Sequence, residues 1–481
     1  MDTDAAEAVT LPRRSGGADV DTLALFTVLW AAVTLFHVWG PSGAAFQLFD
    51  QHSTLGLLQA AAGVVAIAAI LRPRCLPLLA ALAVLGPMIL WYEMPVTGSH
   101  WVVVSFVDVA FLLTLAVTRD ANRVASIFIP LARWVLIVFY FFAAFAKYNH
   151  AFFTPSVSCG NYYFDELANS LRVTVNSATA SWSHVVPIGV ALIEMSIPFL
   201  LLARRTRYVG VVTGLLFHGV IAFDQTHLFS DFSSVLAALF TLFLPAAFAT
   251  DVIARVGRLP RRDEVRALLA AGAALLLLLQ WKQGSTRLYR DGIGWAWVVL
   301  FATLLALVIA FLRQPHPPAE EHPLRLGHNR VPMWMAVIPA LVLLTGLSPY
   351  LELRTAYAFN MYSNLQTADG ESNHLLVTRT LPLTDFESDI VRIKASSDAG
   401  LQLYASGQFD LPFLQLRDYL SRHDDVSLTY VREGVEHTVA HASDDPALVE
   451  PVPAWERKLF AFRALDQTEP ARCQPSFLPA L

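Results

Sequence analysis

The sequence predicts an all-α polytopic membrane bundle of about eleven transmembrane helices, followed by a small, mostly β, extracytoplasmic C-terminal domain. Of the 481 residues, 55% are hydrophobic and only 15% are charged, whereas an average soluble chain is nearer half apolar and a quarter charged. The apolar residues fall in runs of roughly 17–22, the length that crosses about 30 Å of hydrocarbon. After residue 347 the pattern changes to the alternation of apolar and polar residues that is typical of strands.

The predicted spans begin after a polar N-terminal tail (1–20), which lacks the apolar core of a cleaved signal peptide. We group them as a membrane domain over 21–250 and additional transmembrane helices over 251–347. A Pro-rich stretch at 313–330 is predicted as a cytoplasmic linker, because closely spaced prolines prevent a regular helix. The approximate bounds of the spans are 21–39, 54–71, 76–92, 100–118, 126–147, 184–203, 207–223, 229–249, 264–281, 293–313 and 332–347.

The segment 148–183 is too polar to span the membrane, and we expect a short helix or re-entrant loop there. Its tyrosines and Trp182 are first of all interfacial anchors.

Lysine and arginine in the short connections predict the orientation. Alternate connections are rich in arginine, whereas the opposite set holds only Lys147, Arg172, Lys282, Arg287 and Arg290. The asymmetry places the N-terminus in the cytoplasm. An odd number of spans then places residues 348–481 outside an inner-membrane-type bilayer, and a miscount by one span would reverse the tail.

Three cysteines agree with this orientation. Cys75 falls on the cytoplasmic side, where thiols stay reduced. Cys159 and Cys473 both fall on the oxidising side, where a disulfide between the 148–183 loop and the tail could persist. Two unrelated thiols remain an equal alternative, because sequence gives no distance between them.

The C-terminal segment, 348–481, is predicted as one compact, mostly β domain. Residues 432–435 are expected to form a hairpin turn, and 411–423 one amphipathic helix. The predicted strands lie within 374–383, 389–397, 401–407, 426–442 and 455–465.

Ionisable residues inside spans are costly and are functional candidates by default. Each also has a structural alternative, an interhelical hydrogen bond that holds the bundle together. Glu194 and His218 are the strongest candidates, because both lie well inside apolar stretches. The full set is His37, Asp108, Glu194, His218 and Asp231.

Lys147 ends the fifth predicted span. Its ammonium could reach the interface along its apolar stem, or it could lie in a dehydrated pocket. Dehydration favours the neutral amine, which can act as a base. His100, at the outer mouth of the fourth span, is expected at a similar depth, where it could orient a base or face lipid headgroups.

Other chemistries find little support. The chain has no Gly-rich phosphate loop, no CxxC pair, no HExxH and no GxSxG, and nothing in it predicts nucleic-acid binding. The spacings of His150, His437 and His441 are weak signals, and we predict no metal site.

The residues around Lys147 resemble the membrane domain shared by vitamin K-dependent gamma-carboxylase and bacterial HTTM (horizontally transferred transmembrane) proteins. The family's Tyr-Phe-x-Ala-Gly-x-x-Lys helix end is matched here by YFFAAFAK, residues 140–147, with Ala144 in place of the glycine. A second element of the family, Phe-His followed by Leu-Phe-Ser, is matched by Phe217, His218, Leu228, Phe229 and Ser230. The resemblance covers roughly residues 20–250.

This resemblance implies a bacterial inner-membrane protein with a lipid-accessible pocket near the outer leaflet. Lys147 would deprotonate a reduced quinone of the vitamin K or menaquinone type, with His100 assisting. Oxygen would then convert the quinol anion to a stronger base, and proton abstraction or carboxylation with carbon dioxide would follow. The other pocket candidates are His218, Glu194, Tyr140 and Asn149.

The chain departs from the family pattern in the residues that follow Lys147, and only about 130 residues remain after the last span to bind a protein substrate. One alternative is a non-catalytic lipid- or quinone-binding membrane protein or a subunit of an envelope complex. The third alternative is a transporter. The second half of the sequence does not resemble the first, and this lack of an internal repeat counts against a transporter.

Overall fold

A computed structural model describes residues 16–39, 54–224, 227, 229–283, 287–315, 324 and 331–474. Most of the predicted N-terminal tail and of the predicted linker 313–330 lies outside the described residues, as does Leu228. The described membrane part consists of α-helices α1 (Gly16–Trp39), α2 (Thr54–Leu71), α3 (Leu76–Glu93), α4 (Ser99–Val117), α5 (Ala121–Phe145), α6 (His150–Phe153), α7 (Cys159–Ser170), α8 (Val185–Leu202), α9 (Arg207–Ile221), α10 (Ser230–Thr241), α11 (Ala246–Arg258), α12 (Arg262–Gln283), α13 (Arg287–Leu312) and α14 (Val337–Leu347).

Helices α1 and α5 form the centre of the bundle. Most of each is buried, and α5 packs against α1, α4, α8 and α14. Helix α5 begins at an N-cap, where the Asp120 carboxylate accepts the Arg123 N–H at 2.9 Å, as helix starts favour. Because α5 ends at Phe145, its packing fixes the position of Lys147 two residues further on.

The predicted number of spans was too high. Among the described residues, seven helices are long and apolar enough to cross a membrane, or eight if α10 and α11 form one span bent by 110°. The break before α11 contains Pro245, which cannot donate a helical hydrogen bond. Helix α9 and the helical segment Met333–Leu347 are shorter apolar helices, and α12 carries charged residues near both ends.

The outer surface of the bundle is apolar. Large apolar side chains such as Val64, Leu192, Phe199 and Trp295 are more than half exposed. Such surface is unfavourable in water but normal against lipid tails. The fold is therefore that of a membrane protein whose helices contact the bilayer.

The C-terminal region folds around its own sheet. The described strands and helices there are β1 (Thr367–Ala368), β2 (Glu371–Ser372), β3 (Ile390–Ser396), α15 (Ala399–Gly407), β4 (Phe409–Pro412), α16 (Phe413–Leu420), β5 (Leu428–Arg432), β6 (Val435–Val439), α17 (Pro446–Val449), α18 (Ala454–Leu459) and β7 (Leu465–Asp466). Five strands form an antiparallel sheet in the order β6-β5-β3-β4-β7. Helices α15 and α16 pack on it around Val391, Leu401, Leu416 and Tyr430.

Several predictions for this region are confirmed. Strand β3, helix α16 and the β5–β6 hairpin lie where the sequence placed them. Glu433 and Gly434 form the hairpin turn with φ values of 51° and 75°, as a two-residue type I′ turn requires.

The prediction of a mostly β domain was wrong in part. Residues 401–407, predicted as a strand, belong to α15, because Asp398 caps the Leu401 N–H and Leu401 and Tyr404 share the buried helix face. No strand is assigned within 374–383. Most of 455–465 belongs to α18 and a loop, with only the last residue in β7. The region is therefore a mixture of helices and strands.

The tail is fastened to the membrane bundle at the end of α5. His374 Nε2 donates to the Phe145 carbonyl at 2.9 Å, and the Leu375 N–H donates to the Tyr148 carbonyl at 2.8 Å. A disulfide joins Cys159 of α7 to Cys473. These contacts bring the tail against the residues that surround Lys147.

Candidate functional site

A cavity of about 520 Å³ lies at the end of α5 beneath the tail. It is lined mainly by apolar and aromatic side chains from α5, α7, α8 and α9, and by Met361 and Tyr362 of the tail. Ile193, Leu216 and Val220 line it and are also 39–47% exposed on the outer surface of the bundle. The cavity therefore borders the lipid-facing side.

Lys147 forms part of the cavity wall and is buried, with 6% exposure. Its Nζ lies 2.6 Å from Glu194 Oε2 of α8, which also lines the cavity, and donates to the Ala143 carbonyl at 3.1 Å. The side chain does not extend to bulk water. The sequence allowed Lys147 either to reach the membrane interface or to lie in a dehydrated pocket. In the structure Lys147 is buried, and its partner is Glu194, a pairing that the sequence did not predict.

Tyr140 and His218 form a second polar pair in the same wall. The Tyr140 hydroxyl and His218 Nε2 are hydrogen-bonded, and both residues line the cavity and are buried. Tyr140 lies within α5, and Lys147 lies just beyond its end. Four of the predicted site residues, Tyr140, Lys147, Glu194 and His218, therefore meet at one cavity.

His100 is not among the residues that line the cavity. Its Nε2 lies 3.0 Å from Asp231 Oδ2, and Asp231 Oδ2 is also 2.9 Å from His37 Nδ1. His37 Nε2 in turn lies 2.9 Å from Glu93 Oε1. We call His37, Glu93, His100 and Asp231 the histidine cluster. The expected partnership of His100 with Lys147 is not found: His100 belongs to the histidine cluster, which contains two carboxylates, and Lys147 is paired with Glu194.

Asn149 and Asp108 have structural contacts. The Asn149 side chain caps α6 and donates to the Ala146 and Ser363 carbonyls, which joins the loop to the tail. Asp108 Oδ1 accepts the Trp30 indole N–H at 2.8 Å between α1 and α4. Neither residue lines the cavity.

Sequence reasoning missed the contribution of the tail and of α7. Tyr163 lines the cavity from α7, and Tyr362 lines it from the tail. Burial raises the pKa of both phenols, so both keep their protons at neutral pH and can donate hydrogen bonds. The aromatic content of 148–183 was the one sequence feature that indicated a role for Tyr163. No sequence feature indicated a role for Tyr362.

The fold and the cavity define the class of this protein: a multi-pass helical membrane protein with a C-terminal domain that covers one end of the bundle. Protein-family models, curated proteins and solved structures were compared with the chain, and none matches it. The chemistry of the cavity is therefore the guide to function. It combines an amine and a carboxylate in an apolar space, an arrangement that can accept a proton from a lipophilic ligand.

Proposed function

We propose that this chain is a membrane enzyme, similar to vitamin K-dependent gamma-carboxylase, in which Lys147 removes a proton from a reduced quinone. The observation that carries the proposal is the buried Lys147 amine in the wall of a large apolar cavity. An isolated ammonium is costly in such surroundings.

Glu194 gives the amine a route to its neutral form. With the proton on Lys147 the pair is an ammonium and a carboxylate 2.6 Å apart. With the proton on Glu194 the pair is an amine and a carboxylic acid and carries no charge, and we propose this form as the reactive one. The neutral amine has a free lone pair and can act as the base.

The shape of the cavity favours a quinol as the ligand. A volume of about 520 Å³ lies within the range of cofactor pockets, roughly 300–1,000 Å³. Phe139, Phe229 and Phe232 offer aromatic surface for a flat ring. The polar pairs Lys147–Glu194 and Tyr140–His218 supply the groups that bind hydroxyls, and the lipid-facing border suits a prenyl chain.

The proposed step moves one proton from a quinol hydroxyl to Lys147 Nζ. The quinol anion then reacts with oxygen, and one quinol and one oxygen molecule together yield one quinone epoxide and one water. A strongly basic intermediate on that route would abstract a proton from a second substrate, with carbon dioxide as the electrophile if the reaction is a carboxylation. His100 does not line the cavity, and we assign it no role in the first step.

We further propose a bacterial inner-membrane location with a cytoplasmic N-terminus and an extracytoplasmic tail. The arginine-rich alternate loops support this orientation. The Cys159–Cys473 disulfide supports it independently, because disulfides persist on the oxidising side of the membrane.

The test is consumption of menaquinol by the purified full-length protein under oxygen. The wild type is expected to convert menaquinol to its epoxide, and Lys147→Ala is expected to lose at least about 100-fold, the usual weight of a general base. Lys147→Arg is expected to be equally inactive, because arginine cannot deprotonate. Lys394→Ala, at an exposed lysine of β3, the central strand of the tail sheet, is the matched control and should retain wild-type rates.

Two outcomes would reject the proposal. If the wild type forms no epoxide, the proposal that this protein is an enzyme is rejected. Equal rates of epoxide formation in the wild type and in Lys147→Arg would show that Lys147 is not the base, because arginine cannot accept the proton.

A further inference from the structure

None of the histidine cluster residues lines the cavity that contains Lys147, and the cluster has its own geometry. Its members come from four helices and their ends: His37 from α1, Glu93 from α3, His100 from α4 and Asp231 from α10. All four are buried, with exposures between 2% and 8%. One nitrogen from each histidine and one oxygen of Asp231 all lie within 4.8 Å of one another.

The cluster places two carboxylates beside two histidines. Both His37 nitrogens face carboxylate oxygens at 2.9 Å, and His100 Nε2 faces Asp231 Oδ2 at 3.0 Å. Among the described residues, Glu93 and Asp231 form ion pairs only with the two histidines, so no lysine or arginine is paired with either carboxylate.

The cluster also contains polar atoms without a partner. Asp231 Oδ1 and His100 Nδ1 are buried and have no hydrogen-bond partner. An unsatisfied buried polar atom is costly unless something binds it. A divalent cation held by both oxygens of Asp231 would give Oδ1 a partner, and the two carboxylates of the cluster would attract such an ion.

The spacing of the atoms suits a metal ion. Asp231 Oδ2 is 2.9 Å from His37 Nδ1 and 3.0 Å from His100 Nε2. Two ligand atoms about 2.1 Å from one ion and at right angles to each other are about 3.0 Å apart. The separation of the two nitrogens is at most 4.8 Å, so side-chain shifts of about 1 Å would bring all three atoms onto one ion.

His37 also has the outer contact that metal-bound histidines usually have. A ligating histidine commonly donates its second ring N–H to a carboxylate, which fixes the tautomer and the ring. Here that carboxylate is Glu93, which itself accepts from Gln59 Nε2 at 3.1 Å. The Trp101 ring stacks on His37 at 3.5 Å and 9° and holds its plane.

We propose that His37 Nδ1, His100 Nε2 and the Asp231 carboxylate bind one divalent transition-metal ion, with Glu93 as the outer partner of His37. Two imidazoles and one carboxylate suit zinc or ferrous iron rather than calcium or magnesium, which prefer oxygen ligands. On binding, the ion displaces the Nδ1 proton of His37, so metal uptake releases protons. The proposal does not rest on the quinol chemistry, because neither the cavity nor Lys147 takes part.

The experiment uses full-length protein purified through a tag without histidine and stripped of metal by chelation. Cobalt chloride serves as the spectroscopic probe and zinc chloride as its competitor. The wild type is expected to bind about one Co²⁺ per chain with visible d–d absorption bands, which one equivalent of Zn²⁺ removes. Metal analysis after dialysis should then give about one Zn²⁺ per chain.

Variants separate the ligands from the outer partner. His100→Ala and Asp231→Asn are expected to abolish the cobalt bands, and Glu93→Gln to weaken metal affinity by about 10- to 100-fold. His184→Ala, an exposed histidine at the start of α8, should bind like the wild type. Thermal melting of each metal-free variant reports whether it folds.

The wild-type measurement decides the proposal even if a variant does not fold. Absence of cobalt bands in folded wild type would show that the cluster is a hydrogen-bonded network without a metal and would overturn the proposal. Bands that persist unchanged in folded His100→Ala would overturn the assigned ligands.

Discussion

At the scale of single residues, the candidate site depends on buried charges that find each other across the bundle. Lys147 and Glu194 lie 2.6 Å apart although 47 positions separate them in the printed sequence. The rule that ionisable groups inside spans are functional candidates selected Glu194, whereas Lys147 was selected as the residue that ends the fifth predicted span. It could not give their partners, because pairing depends on how the helices pack. For the same reason Lys147 and His100, predicted at similar depth, lie in different groups.

Glu387 in the tail gives a prediction that does not depend on the proposed reaction. Its carboxyl is fully buried, and one oxygen has no hydrogen-bond partner. Burial raises the pKa of Glu387 well above its ordinary value, and the neighbouring Glu352 adds to the rise. Between the ordinary pKa, near 4.5, and the raised native pKa, the folded chain holds a proton that the unfolded chain releases. Stability from this group is therefore lost as pH rises.

Glu387→Gln is expected to stabilise the protein at pH 8 by a few degrees in melting temperature and to have little effect near pH 4.5. The amide has no proton to lose, so the pH-dependent cost disappears. Thermal unfolding at the two pH values checks this, with Glu371→Gln, an exposed glutamate of β2, as the control. A gain of the same size at both pH values would show that the titration of Glu387 is not the cause.

At the scale of elements, long apolar runs were predictable and broken ones were not. Helix α2 matches its predicted span, 54–71, to the residue, because nothing interrupts its apolar sequence. The run at 229–249 reads equally apolar, yet the structure breaks it into α10 and α11 near Pro245. In the tail, short apolar segments such as 401–407 fit a strand or a helix equally well. The capping residue Asp398 favours the helix there.

The disulfide is the covalent link between two elements that the candidate site requires. It ties α7, which contributes Tyr163 to the cavity, to the end of the tail. Such a cross-link stabilises a fold by typically 2–4 kcal/mol, chiefly by restricting the unfolded chain.

Cys473→Ser is therefore expected to lower the stability of the folded tail by about that amount, 2–4 kcal/mol, and to make it more sensitive to limited proteolysis. Cys75→Ser is the matched control, because Cys75 is a free cysteine, and it should behave like the wild type. Equal protease resistance in the two variants would mean that the hydrogen bonds near Phe145 and Tyr148 suffice to dock the tail.

At the scale of the whole molecule, the candidate site is a joint product of the bundle and the tail. The membrane part supplies the amine and most of the cavity wall, and the tail supplies Met361 and Tyr362 and holds residues 145–149 in place. Composition and run length predicted the membrane class and the C-terminal change in character. They could not predict that the tail closes the cavity, because contacts between distant segments leave no periodic pattern in the sequence.

The central claim is that Lys147 takes a proton from a quinol inside this cavity, and anaerobic mixing tests that step alone. Without oxygen, the reaction stops at the quinol anion, whose absorption differs from that of the neutral quinol. Wild-type protein mixed with menaquinol is expected to show the anion spectrum in proportion to protein, and Lys147→Ala is expected to show only neutral quinol. An anion signal of equal size in Lys147→Ala, or none in wild-type protein with quinol bound, would contradict the account.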